Sequence, residues 1–117
     1  MACRMSSRFL ADFLAVGAML FAHIAEARPV RCVITGSVQY AGKCDFIRGG
    51  GSFSLSPIGR ASFPGGINPV SVAIDPPGVA EVRGLTRDGI NSRWGEARPS
   101  KKDPACWEGS DFRICAY

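Results

Sequence analysis

The sequence predicts a small all-β domain, an antiparallel sandwich or barrel with two disulfides, that follows a cleaved N-terminal signal peptide. Three observations predict it. Between residues 28 and 117, Val and Ile occur seven times each but Leu only twice, and β-branched side chains suit a pleated surface. Gly and Pro supply 21 of these 90 residues, which disfavours a long helix. Four cysteines remain in the same range, an even number as disulfide pairing requires.

Residues 1–27 have the three regions of a secretory signal peptide. Arg4 and Arg8 precede an apolar stretch over residues 9–25, and Ala25-Glu26-Ala27 is a small-x-small cleavage site. A membrane anchor is the alternative. The longest run without a charge or a histidine has ten residues, however, which is too short to cross a bilayer core about 30 Å thick.

The predicted mature chain, residues 28–117, is one domain that is secreted or periplasmic, with no integral membrane association after cleavage. It contains no His and no Met, and its twelve basic and eight acidic side chains give a net charge of +4. The absence of His excludes Ser-His-Asp and Cys-His catalytic arrangements and His-bearing zinc sites. We expect no metal and no cofactor.

The four cysteines of this range allow three pairings, of which we favour the two local ones, Cys32–Cys44 and Cys106–Cys115. A hairpin centred on Ser110-Asp111 would place Cys106 directly opposite Cys115, where a cross-strand bridge is possible. A zinc site with four thiolates is the alternative. Neither spacing is C-x-x-C and the export route is oxidising, so disulfides are favoured.

Short strand signals follow one another along the mature chain, separated by turns. Three consecutive glycines at 49–51 break the chain, Asp75-Pro76-Pro77-Gly78 is a strong turn, and Asp88-Gly89 is a hairpin signal. Residues 41–43 are also expected to turn. The predicted strands cover residues 31–35, 38–40, 44–48, 52–56, 70–74, 79–85, 90–94 and 112–116.

The least regular part is residues 56–68, which hold several glycines and prolines around Ile58 and Phe63. The plain interpretation is a surface loop that these two apolar side chains pin to the domain. The alternative is a binding loop, because loops carry function more often than the scaffold does.

The segment from residue 83 to residue 102 has a local net charge of +4 with a tryptophan in its middle. Guanidinium groups pair with phosphate and carboxylate, and an exposed indole can stack on a base or a sugar. The alternative is a solvated strand face whose tryptophan packs inward beside Gly95. As candidate binding residues we take Arg83, Arg87, Arg93, Trp94, Arg98 and Lys101.

Several segments carry a resemblance. Residues 92–98 (SRWGEAR) and 105–117 (ACWEGSDFRICAY), with the earlier GKCDF at 42–46 and GGSF at 50–53, resemble small exported proteins of unassigned activity from Gram-negative bacteria. The resemblance covers nearly all of the mature chain. It implies a shared fold and compartment and supplies no catalytic residues.

The function that these observations favour is an exported, non-catalytic binding module whose partner is a macromolecule of the cell envelope or exterior, such as an anionic envelope polymer. The first alternative is an inhibitor of a lytic enzyme such as lysozyme. The second is a small carboxylate hydrolase, because paired acids can act in glycosidases. No spacing singles out a pair among the acids that are available, Glu81, Asp88, Glu96, Glu108 and Asp111, so no catalytic residue is assigned.

Overall fold

The computed structural model describes residues 26–117, so the predicted signal peptide lies outside the described residues apart from Glu26 and Ala27. The described chain is all-β and forms a closed barrel in which each of eight antiparallel strands pairs with the next and the last pairs with the first. The predicted fold class is thereby confirmed, and of its two forms the barrel is the one adopted. None of residues 26–117 belongs to a helix long and apolar enough to span a membrane.

The eight strands run alternately between the two ends of the barrel. Residues between them form short connections, except for the long one between the third and fourth strands. The strands are β1 (Ala27–Thr35), β2 (Tyr40–Gly49), β3 (Ser52–Pro57), β4 (Val70–Ile74), β5 (Ala80–Leu85), β6 (Asn91–Pro99), β7 (Cys106–Glu108) and β8 (Arg113–Ala116).

Alternate residues of each strand point into the barrel and form its core. In β5 the predicted alternation is confirmed, with Ala80 and Val82 buried and Glu81 and Arg83 on the outer face. The interior is filled by side chains, as expected for a barrel of eight strands. The fully buried apolar positions include Ile34, Leu55, Val70, Val72 and Ile114.

Both predicted disulfides are present. Cys32 and Cys44 are fully buried and join β1 to β2 inside the core. Cys106 lies directly opposite Cys115 in the β7–β8 pair, as the hairpin prediction required. The first bridge therefore fastens the opening hairpin of the barrel, and the second fastens the closing one.

The prediction for residues 38–43 was wrong. Instead of a short strand and a turn at 41–43, the chain turns at 36–39 and residues 41–43 lie inside β2, where they pair with β1. The register explains this, since eight consecutive residues of β1 each find a partner in β2. Gly42 leaves room for the Tyr40 ring, because a Cβ at Gly42 would come within 2.8 Å of the Tyr40 hydroxyl.

The two ends of the barrel differ. At one end, which we call the closed end, residues 58–69 fold over the core with Phe63 and Ile67 buried. Ile58, expected to pin this loop, is instead exposed, and Ile67 takes its place. At the opposite end, the open end, the connections are residues 50–51, 75–79 and 100–105. The first of these is two glycines, which have no side chains to cover the core.

Candidate functional site

The predicted arginines of β5 and β6 lie together on the outer face of the barrel, where they are paired with acids. Arg83 donates to Glu81 Oε1 at 2.6 Å and Arg93 donates to the same oxygen at 2.8 Å. Arg98 donates to Glu96 at 2.9 Å in the same way. These three predicted binding residues form a surface ladder of ion pairs, which leaves little unbalanced charge for a ligand.

Two of the candidate acids, Glu81 and Glu96, are direct cross-strand neighbours. The sequence could not show this pairing, because it depends on a β-bulge at Trp94 that shifts the register between β5 and β6. Both carboxylates are held by arginine side chains on the convex outer face. For a third acid, Glu108, the Oε1 atom lies 3.5 Å from Nε of Arg113.

The remaining predicted cations, Arg87 and Lys101, lie apart from each other. Arg87 is in the β5–β6 turn at the closed end, with its guanidinium packed over Gly66. Lys101 is in the 100–105 connection at the open end. The nine residues of β6 separate them, a distance of roughly 30 Å at the usual rise per residue of a strand. The six predicted residues therefore do not share one face.

Trp94 is half-buried and packs against the core. Trp94 is the extra residue of the β-bulge and lies beside Gly84. A Cβ atom added at Gly84 would come 3.0 Å from the indole Nε1 of Trp94 and 2.9 Å from Cγ2 of Ile67. Its ring meets Phe112 edge to face, with centroids 6.0 Å apart. The inward-packed alternative for this tryptophan is the arrangement that the structure contains.

The open end carries a different group of residues, which the sequence analysis did not single out. We call it the mouth. Its apolar members are half-buried and pack against the core, and the 100–105 connection borders them. They line two adjoining depressions of about 320 and 250 Å³ that share Phe46 and Arg48. The mouth consists of Arg28, Phe46, Arg48, Phe53, Ile74, Trp107 and Ala116.

The aromatic side of the mouth is a stack of rings with a cation on it. Phe46 and Phe53 are stacked with centroids 4.8 Å apart, and the Arg28 guanidinium carbon lies 5.2 Å from the Phe46 centroid. Arg28 and Phe46 are partners in the β1–β2 register, as Arg48 and Phe53 are in the β2–β3 register. Neighbouring strands thus set each arginine beside a phenyl ring.

The open end of the barrel carries four exposed cations. None of the salt bridges formed within residues 26–117 includes Arg28, Arg48, Lys101 or Lys102, and all four side chains are exposed. Glu26 lines the depression beside the two arginines. This end therefore combines unpaired positive charge with an apolar recess, which is an arrangement suited to an anion that also has a non-polar face.

A second acid near the mouth, Asp103, is already engaged. The Tyr117 hydroxyl donates to Asp103 Oδ2 at 2.7 Å. This hydrogen bond, together with that from the Ala105 N–H, lowers the pKa of Asp103, and the same Tyr117–Asp103 bond raises the pKa of Tyr117. The Arg31 guanidinium lies over the Tyr117 ring. The C-terminal tyrosine thus holds the 100–105 connection against β1.

One sequence signal could have indicated the mouth. Phe46 and Arg48 precede the triple glycine at alternate positions and Phe53 follows it, so a hairpin would place all three side chains on one face. Trp107 and Ala116 could not have been added, because they reach the mouth only when the barrel closes.

No family model, curated protein or solved structure matches this chain. Within residues 26–117 there is no group of three or more His, Cys, Asp or Glu side chains placed to hold a metal ion. Function is therefore inferred from the chemistry of the barrel's own surface.

Proposed function

We propose that this protein is an exported, non-catalytic binding module that holds an anionic polymer of the cell envelope at the mouth of its barrel. The observation that carries the proposal is the contrast between the two groups of arginines. Arg83, Arg93 and Arg98 are each bound to a glutamate, whereas Arg28 and Arg48 form no salt bridge within residues 26–117 and line an open recess.

Unpaired guanidinium groups favour anions for a direct reason. A guanidinium presents several N–H donors in a planar fork that fits carboxylate or phosphate oxygens. An arginine that is already in an ion pair must give up that partner first, so its net gain is smaller. Cleavage of the signal peptide after Ala27, as the sequence predicts, would also remove the Glu26 carboxylate and leave a positive α-amino group at Arg28.

Lys101 and Lys102 extend the positive region, because they belong to the connection whose residues Pro104 and Ala105 line the mouth. A polymer that is bound through several exposed cations should lose affinity steeply as salt rises. An inhibitor that plugs the cleft of a lytic enzyme should be much less sensitive. Salt dependence therefore separates the proposal from the inhibitor alternative.

The test is calorimetric titration of the mature protein with polyphosphate and with polygalacturonate at increasing NaCl concentration. The variant R28Q/R48Q removes the two unpaired arginines. The matched control R93Q/R98Q removes the same net charge from the ion-pair ladder. We expect the first variant to weaken binding about tenfold or more, since charge-assisted hydrogen bonds contribute about 1.5–3 kcal/mol each, and the control to bind almost as the wild type does.

The salt dependence gives a second readout. Each phosphate contact that is lost should reduce the log–log slope by about 0.7–0.9 for a polymer with the charge density of nucleic acid. Equal losses of affinity for both variants would indicate an effect of net charge alone. A larger loss of affinity for R93Q/R98Q would indicate that the polymer binds at the predicted β5–β6 face. Either result overturns the assignment to the mouth, and a failure of wild type to bind any anionic polymer would refute the proposed function.

A further inference from the structure

We propose that the mouth recognises one acidic sugar unit of such a polymer, with the two arginines on its carboxylate or phosphate and the aromatic side chains on its ring. The inference rests on the proposed function and narrows it to a chemical class of ligand. It follows from the depth of the mouth, from which aromatic faces are free, and from the polar groups at its rim.

The depth of the mouth excludes a long apolar group. Beneath the half-buried ring of side chains, the barrel interior is closed by fully buried residues such as Cys32, Leu55 and Val72. A lipid acyl chain therefore has no channel to enter. Cleavage after Ala27 would remove the wall that Glu26 gives the first depression, whereas the second depression, of about 250 Å³, is lined by residues that remain and suits a compact ring.

The aromatic surface of the mouth can hold a sugar ring. Phe46 uses its faces on Phe53 and on Arg28, so it is not free to stack on a ligand. Trp107 lines the same recess and is half-buried. The C–H groups of a pyranose are slightly positive, and the negative face of an indole attracts such groups without requiring a second ring.

Polar groups at the rim can meet sugar hydroxyls. Ser52 lines the mouth, and its Oγ accepts a hydrogen bond from the Ile74 N–H at 3.0 Å. The hydroxyl hydrogen of Ser52 is then left to donate. Gly51, next to it, brings bare backbone to the same edge. An acidic sugar would thus find cations, an aromatic face and hydroxyl partners within one recess.

The experiment compares ligands that differ in one property. Oligogalacturonate (carboxylated) and a phosphomannan fragment (phosphorylated) are titrated against methyl-esterified oligogalacturonate, unphosphorylated mannan, and a single-stranded oligodeoxynucleotide of matched charge. Binding is followed by calorimetry and by the two indole N–H resonances in NMR spectra, which W94F assigns. We expect at least one acidic glycan to bind, its neutral counterpart to lose about tenfold or more, and the Trp107 resonance to shift while that of Trp94 does not.

Two variants test the aromatic recess itself. W107L removes the indole, and A116L fills the mouth without changing any charge and without removing a core side chain. Both should lower affinity for the acidic glycan by about tenfold and leave the oligonucleotide nearly unaffected. Because Trp107 also contacts the core, A116L keeps the test valid if W107L does not fold.

The outcomes separate the two proposals. If the oligonucleotide binds as tightly as the acidic glycans and A116L changes nothing, the sugar inference is wrong, while the proposed function stands provided that R28Q/R48Q still weakens binding. If the protein binds one of the two acidic glycans more tightly, that preference shows whether the arginines bind a carboxylate or a phosphate group of the sugar. Equal affinity for acidic and neutral glycans would also overturn the inference, because the arginines would then have no role in recognition.

Discussion

Phe112 closes a seam in the barrel, and its truncation should be among the most damaging changes in the chain. β6 pairs with β7 at two positions only, Arg98 and Pro99, so the first part of β6 has a partner strand on its β5 side but none on its β7 side. The Phe112 ring covers part of this seam, beside a surface depression of about 250 Å³ that it lines together with Arg93 and Trp94. It is 8% exposed and packs edge to face on Trp94.

The expected cost follows from what surrounds the ring. A Cβ atom added at Gly109 would lie 2.2 Å from Cε1 of the Phe112 ring, and one added at Gly95 would lie 3.6 Å from the same atom. Gly36 packs against the Cβ of Phe112. Three glycines have no side chains that could move into the space left by F112A, so most of the cavity should remain. Buried Phe→Ala changes cost about 3–5 kcal/mol in total, a range that includes the lost edge-to-face contact with Trp94.

The assay is equilibrium urea unfolding of the mature, disulfide-bonded protein, followed by intrinsic fluorescence and circular dichroism. With an m-value of about 1–1.5 kcal/mol/M for a domain of this size, the midpoint should fall by at least 2 M. I90A is the control, because Ile90 is 61% exposed and its truncation should change stability by less than about 0.5 kcal/mol. A loss below about 1 kcal/mol for F112A would refute the view that this ring holds the seam closed.

Three further predictions concern single features of the chain. In a Y40F background, absorbance titration should give Tyr117 a pKa above 10.0, because its hydrogen bond to Asp103 favours the protonated phenol, and D103N should lower this pKa. The stability that this bond contributes is present below the pKa of tyrosine in the unfolded chain, and it is lost as the pH rises through the pKa of Tyr117 in the folded protein. E81Q removes the negative charge shared by Arg83 and Arg93 and should cost under about 1 kcal/mol in thermal unfolding, since the group is at the surface. Exported protein should begin at Arg28, and its intact mass after treatment with an alkylating reagent should show no free thiol. Alkylation of four cysteines before reduction would contradict the two disulfides.

The distribution of charge separates two roles for arginine in this barrel. On the outer face, Glu81 and Glu96 balance their neighbours along β5 and β6, which keeps a densely charged surface soluble without a large local field. At the open end, Arg28 and Arg48 form no salt bridge within residues 26–117 and lie beside an apolar recess. The net charge of +4 does not locate a binding site, and the proposed site rests on local pairing together with the recess.

The class of the fold and part of its local structure could be predicted from residues that are close together in the chain. The excess of Val and Ile, the turn residues and the even number of cysteines favoured an all-β domain with two local bridges, because these signals depend on short sequence separations. The pairing of Cys106 with Cys115 could be predicted for the same reason, since one hairpin decides it.

Which cations are paired and which apolar side chains share a recess depends on contacts between strands that are distant in the sequence. The register places Arg93 on Glu81, and a β-bulge that no local sequence pattern predicts leaves Trp94 packed against the core. Phe46 and Trp107 are 61 positions apart in the sequence and line one depression because β1 and β8 close the sheet. A binding surface is a property of groups that meet across strands, and their meeting is fixed by closure and register rather than by the residues next to them in the chain.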